Sequence, residues 1–153
     1  MEALVCSSLQ GCMGPHPQWQ RCKSGGDVVQ PGTESWQLLH SDDWGYQLNS
    51  MQRGYSLCAS VAVMDVPVAF APVRLVPWNV LSHYRDFPSC DLTDLPWQSN
   101  EHLLTMRKGE LLIRDIRAAH SGSPNCTDLA RPFPGMQIYT PQYLLWEASQ
   151  RGN

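Results

Sequence analysis

The chain has 153 residues, a formal net charge of −3, 42% hydrophobic residues and only 16% charged ones. That length suits one domain, the charge offers no basic footprint for duplex nucleic acid, and no apolar run approaches the ~20 residues that span a bilayer. Twelve prolines and eleven glycines interrupt the chain too often for long helices, which points to an all-β-dominated domain of short strands.

Residues 1–33 are rich in Gly, Pro, Ser and Cys without periodicity and read as a poorly ordered N-terminal segment. Residues 34–153 read as a single β core. The opening MEALVCSSLQGC has an acidic residue where a secretory signal carries a basic one, so an intracellular, cytoplasmic chain is expected. The six cysteines are scattered without any C-x-x-C, which favours free thiols over disulfides. A structural zinc site from Cys6, Cys12, Cys22 and His16 fits no common ligand spacing.

SWQLLHSD (35–42) alternates as a strand does. On a strand, His40 and Asp42 project from one face with Cα atoms about 6.6 Å apart, close enough to meet on one metal ion. Asp43 points the other way. The same triplet also suits a solvated strand end. YSLCASVAVMDV (55–66) and VRLVPW (73–78) read as strands on either side of a PVAFAP turn. Residues 84–104 form a long Pro/Asp/Ser-rich excursion of the kind that serves as a lid. Trp44, Tyr46, Phe87 and Trp97 suit a pocket wall or a core equally, and His83 and His102 read as loop or surface residues.

Lys108-Gly109-Glu110 reads as a tight turn into the strand LLIRDIR, where Arg114, Asp115 and Arg117 suit structural ion pairs. That strand delivers His120 at its end. SGSPNCTDLA is dense in turn formers, and a further strand starts at Arg131. A hairpin would set cross-strand neighbours about 5 Å apart, so His120 and Arg131 would share one space. An arginine there fits a carboxylate through its two-pronged donor array. The plainer alternative is a turn-capping histidine and a surface charge. Asn125-Cys126-Thr127 matches a glycosylation sequon by chance. RPFPGMQIYTP reads as a strand and PQYLLWEASQ (141–150) as a short closing helix.

Taken together, the clusters resemble the phytanoyl-CoA dioxygenase family of Fe(II)- and 2-oxoglutarate-dependent oxygenases, over about Gly26 to Tyr143. HSD at 40–42 is similar to the family's H-x-D. KGELLIRDIRAAHSGSPN (108–125) is similar to its stretch around the distal histidine, with the H-x-G-x-x-N loop. Arg131 follows His120 by 131 − 120 = 11 residues, the family's separation for its co-substrate arginine. VAVMDV and APVRLVPW resemble the middle strands, although Trp78-Asn79-Val80 replaces the family's G-S-H.

The resemblance implies a double-stranded β-helix, a jelly-roll or cupin-like barrel with iron at one open end. It implies His40, Asp42 and His120 as Fe(II) ligands and Arg131 as the partner of the distal carboxylate of 2-oxoglutarate. With O2, such a site hydroxylates a small organic substrate while 2-oxoglutarate is decarboxylated to succinate. The presence of Asp42 argues against halogenation, since related halogenases lack that carboxylate. Family members are usually longer, with a helical layer before H-x-D, so an N-terminally truncated member is one expectation. A catalytically silent β-barrel relative acting as a binding module is the second reading.

Overall fold

The computed structural model describes residues 20–42, 56–76 and 103–151. Among them lie seven strands and one helix: β1 (Gln20–Val29), β2 (Ser56–Val61), β3 (Val73–Leu75), β4 (Leu103–Leu104), β5 (Leu111–Asp115), β6 (His120–Gly122), β7 (Arg131–Tyr139) and α1 (Pro141–Arg151). β1, β7, β2 and β5 form one antiparallel sheet in that order, and β4, β3 and β6 form a second.

Residues 37–42 extend the second sheet along the free edge of β6. Gln37 N donates to Gly122 O (3.0 Å), His40 N to His120 O (3.0 Å), His120 N back to His40 O (2.8 Å), and Asp42 N to Ile116 O (3.0 Å). The chain therefore alternates between sheets: β1 in the first, 37–42 in the second, β2 back in the first, β3 and β4 in the second, then β5, β6 and β7 in turn. This is the double-stranded β-helix implied by the resemblance. The extended run 35–42 pairs by a single bridge, at His40, rather than as a regular strand.

In β2, Leu57 and Ala59 pack with Met136 and Ile138 on one face of the first sheet, backed by Leu111 and Ile113. Cys58 and Ser60 alternate to the opposite face and line the cavity between the sheets. A second cluster, Ala62, Val66 and Phe133 with Val73, Met106 and Leu112, joins the two sheets. Tyr143 of α1 stacks on Tyr139, with ring centroids 5.0 Å apart, and closes the end of β7 beside Ile116.

The turn before β5 is as the sequence requires. Glu110 N donates to Arg107 O at 3.0 Å, and Gly109 sits at φ +91°, the third position of a turn that only glycine enters without strain.

Two expectations are corrected here. Residues 20–29, placed in a poorly ordered segment, are β1, paired with β7 from Gln20↔Tyr139 to Val29↔Arg131 around a bulge between Arg21 and Lys23. Residues Ser24 to Val28 are exposed, so no buried face imprinted an alternation on them. Backbone pairing with β7 runs the length of this strand. The second correction concerns the hairpin: His120 and Arg131 do not face each other across one. β5 ends at Asp115, the chain turns through 116–118, and His120 opens β6 in the second sheet, while Arg131 opens β7 in the first.

The expectations for Cys6, Cys12, His16, Trp44, Tyr46, His83, Phe87, Trp97 and His102 lie outside the described residues. So does that for the Cys22 side chain. Among the described residues, no helix is long and apolar enough to cross a membrane.

Candidate metal centre

The reciprocal hydrogen bonds between His40 and His120 make them a directly opposed antiparallel pair, and opposed residues project from the same face. Asp42, two residues along, joins that face. Their rings lie 4.3 Å apart, centroid to centroid. Asp42 Oδ1 stands 3.6 Å from His40 Nε2 and 3.6 Å from His120 Nε2. One donor atom from each residue lies within 4.8 Å of the other two.

Each imidazole is oriented by its own backbone. His40 Nδ1 meets Leu38 O at 2.9 Å and His120 Nδ1 meets Ala118 O at 2.9 Å. A carbonyl only accepts, so both Nδ1 atoms carry a proton, and both Nε2 atoms face Asp42. His120 is buried, and burial first, then the Arg114 guanidinium, lowers its pKa to about 4. It therefore presents a neutral imidazole at neutral pH, the form that ligates a metal.

The cluster opens into a cavity of about 860 Å³ between the sheets, whose lining also includes Arg114 and Arg131. Arg131 is 2% exposed, and its Nε and Nη1 have no hydrogen-bond partner among the described residues. Its guanidinium carbon lies 5.1 Å from the centre of the Phe133 ring. Burial lowers the Arg131 pKa from the usual value, while Asp27 on β1 opposes that shift. A buried guanidinium with free donors is costly unless an anion meets it. The donor set of two imidazoles and a carboxylate leaves half of a six-coordinate iron open. Cluster and arginine together thus fit an iron and an anionic co-substrate.

All four site residues expected from sequence line this one cavity, on facing sheets. Of the three charges expected to form structural pairs, Arg117 does bond Asp115, with Nε donating to Oδ1 at 2.7 Å. Arg114 differs: its Nη2 donates to Asp42 Oδ2 at 2.6 Å. Alternation along β5 puts residues 114 and 115 on opposite faces, the one signal that could have separated Arg114 from Asp115. Asn125 of the sequon is fully buried. Its Nδ2 donates to Leu129 O (2.8 Å), Gln30 O (3.1 Å) and Val29 O (3.3 Å), so this amide ties the end of β1 to the loop before β7.

A family model described as Phytanoyl-CoA dioxygenase (PhyH) matches residues 5–133. Among curated proteins, none matches the chain. Several solved structures share its fold. AviO1 from Streptomyces viridochromogenes Tue57 is 15% identical with a TM-score of 0.66, over 92% of this chain and 58% of that one. The non-heme alpha ketoglutarate dependent carbocyclase SnoK from nogalamycin biosynthesis is 26% identical with a TM-score of 0.60, over 80% of this chain and 50% of that one. EvdO2 from Micromonospora carbonacea var. aurantiaca, complexed with 2-oxoglutarate, is 14% identical with a TM-score of 0.61, over 90% of this chain and 59% of that one. The chain thus spans 50–59% of the length of these three proteins.

Proposed function

The chain belongs to the phytanoyl-CoA dioxygenase family, and from that membership we propose that it is an Fe(II)- and 2-oxoglutarate-dependent dioxygenase that hydroxylates a small organic substrate. His40, Asp42 and His120 hold the iron, and Arg131 holds the distal carboxylate of 2-oxoglutarate. When bound, iron with 2-oxoglutarate and O2 supplies an oxidant for unactivated C–H bonds and leaves succinate and CO2.

The protein's own contribution is positional. The two Nδ1–H bonds to Leu38 O and Ala118 O fix each imidazole in the tautomer and rotation that ligation requires. Arg131 gives the co-substrate a fixed anchor on the sheet opposite the histidines.

One observation carries the reading: a His-Asp-His cluster and a buried arginine with free donors face the same cavity. Anaerobic addition of Fe(II) and 2-oxoglutarate should give the weak visible charge-transfer band of the chelate. A wild-type band no stronger than that of His120→Ala would sink the assignment. Succinate formation, even uncoupled from any substrate, separates this reading from the silent binding module.

A further inference from the structure

Arg114 lies in the first sheet, opposite Cys58 in the β2–β5 register, whereas Asp42 follows the edge segment of the second sheet. Their 2.6 Å bond therefore crosses between the sheets. It divides the carboxylate: Oδ2 is held by Arg114, while Oδ1 alone faces the two Nε2 atoms at 3.6 Å each. An unrestrained carboxylate turns about its last torsion and can offer a metal one oxygen or both. A charge-assisted hydrogen bond at this distance removes that freedom. The arginine side chain is only 12% exposed, and its Nη1 is buried without a hydrogen-bond partner among the described residues. Solvation therefore offers no reason for the guanidinium to sit there.

Charge alone argues against such a neighbour. A cation beside a divalent-ion site repels the ion, so its presence is a liability unless orientation outweighs repulsion. We propose that Arg114 is a positioning residue that fixes Asp42 as a one-oxygen ligand, leaving a further coordination position of the metal open to co-substrate or O2. The inference rests on the metal-centre reading above and adds to it a residue outside the proposed ligand set.

The two effects have opposite signs, which makes the test sharp. Co(II) binding is followed anaerobically by calorimetry and by the visible d–d bands, in wild type, Arg114→Ala, Arg114→Lys and His120→Ala. Orientation predicts that Arg114→Ala weakens Co(II) by about 10–100-fold, as loss of a ligand's hydrogen-bond partner typically does. The d–d bands should shift as the carboxylate gains a second contact. Arg114→Lys, or guanidinium ion added to Arg114→Ala, should restore both affinity and bands. Should Arg114→Ala not fold, Arg114→Met, close in volume and without donors, replaces it. Equal or tighter Co(II) binding with unchanged bands in the donor-free variant overturns the inference. Equal binding by wild type and His120→Ala instead overturns the metal-centre reading beneath it.

Discussion

At the scale of single residues, Arg131 and Asn125 show how burial raises the stakes of one side chain. Arg131 is held between sheets with two free donors, and its fork suits a carboxylate where a lysine would offer a point charge. Arg131→Lys should raise the dissociation constant for 2-oxoglutarate by about 10–100-fold, the worth of a charge-assisted bond. Co(II) affinity without co-substrate should stay at the wild-type level, and calorimetry reads both. Asn125→Ala strands three carbonyls and should lower stability by about 2–3 kcal/mol, measured from the denaturation midpoint. His120 adds a pH dependence. Its folded pKa of about 4 lies below the unfolded 6.5, so the unfolded chain takes up the proton first. In chelator-treated protein, this contribution is intact above about pH 6.5 and lost as the pH falls toward 4. That loss should shrink in His120→Gln.

At the scale of elements, the strands whose alternating faces meet different surroundings were legible, and β1 was not. β2 carries Leu57 and Ala59 to a core and Cys58 and Ser60 to the cavity, so its texture announces a strand. In β1 the run Ser24 to Val28 is exposed, and the strand exists because β7 offers it a backbone ladder more than a hundred residues away. The prolines of β7 point to the same logic. Pro132 and Pro134 fall where β7 pairs with β1 alone, before the β2 pairing begins at Gly135, so their missing N–H groups break no ladder on that side. Gly26 is where this pairing is tightest: at φ +152°, a Cβ there would stand 2.5 Å from Phe133 O and 2.6 Å from Pro134 Cα. Gly26→Val should therefore unzip β1 near the start of β7, lower the melting temperature and weaken 2-oxoglutarate binding through Arg131. Gly25→Ala, where a Cβ meets nothing within 4 Å, should leave both near wild type. Equal behaviour of the two variants in a melting experiment would contradict this account of the strand.

At the scale of the whole molecule, motif spacing marked the four candidate residues but could not show how they are assembled. His120 and Arg131 are close in sequence, which suggested two lips of one hairpin. The fold instead sends them to different sheets and closes the cavity from both sides. Strand partners in this topology are distant in sequence, so local pattern names strands without assigning sheets. The division has a thermodynamic consequence. The proposed metal ligands belong to the second sheet, with residues 37–42 and β6, and the proposed co-substrate arginine belongs to the first. An ion bound to the cluster should stabilise the folded chain by RT ln(1 + [L]/Kd), about 2.7 kcal/mol at a hundredfold excess over Kd. A 2-oxoglutarate molecule held by both that ion and Arg131 would tie one sheet to the other. Ni(II), which does not turn over, should therefore raise the melting temperature alone, and 2-oxoglutarate should add a further increment only when Ni(II) is present. Arg131→Ala should abolish the second increment and keep the first, whereas His120→Ala should abolish both. An increment from 2-oxoglutarate without metal, equal to that with it, would show that the two halves of the site are not coupled through the ion.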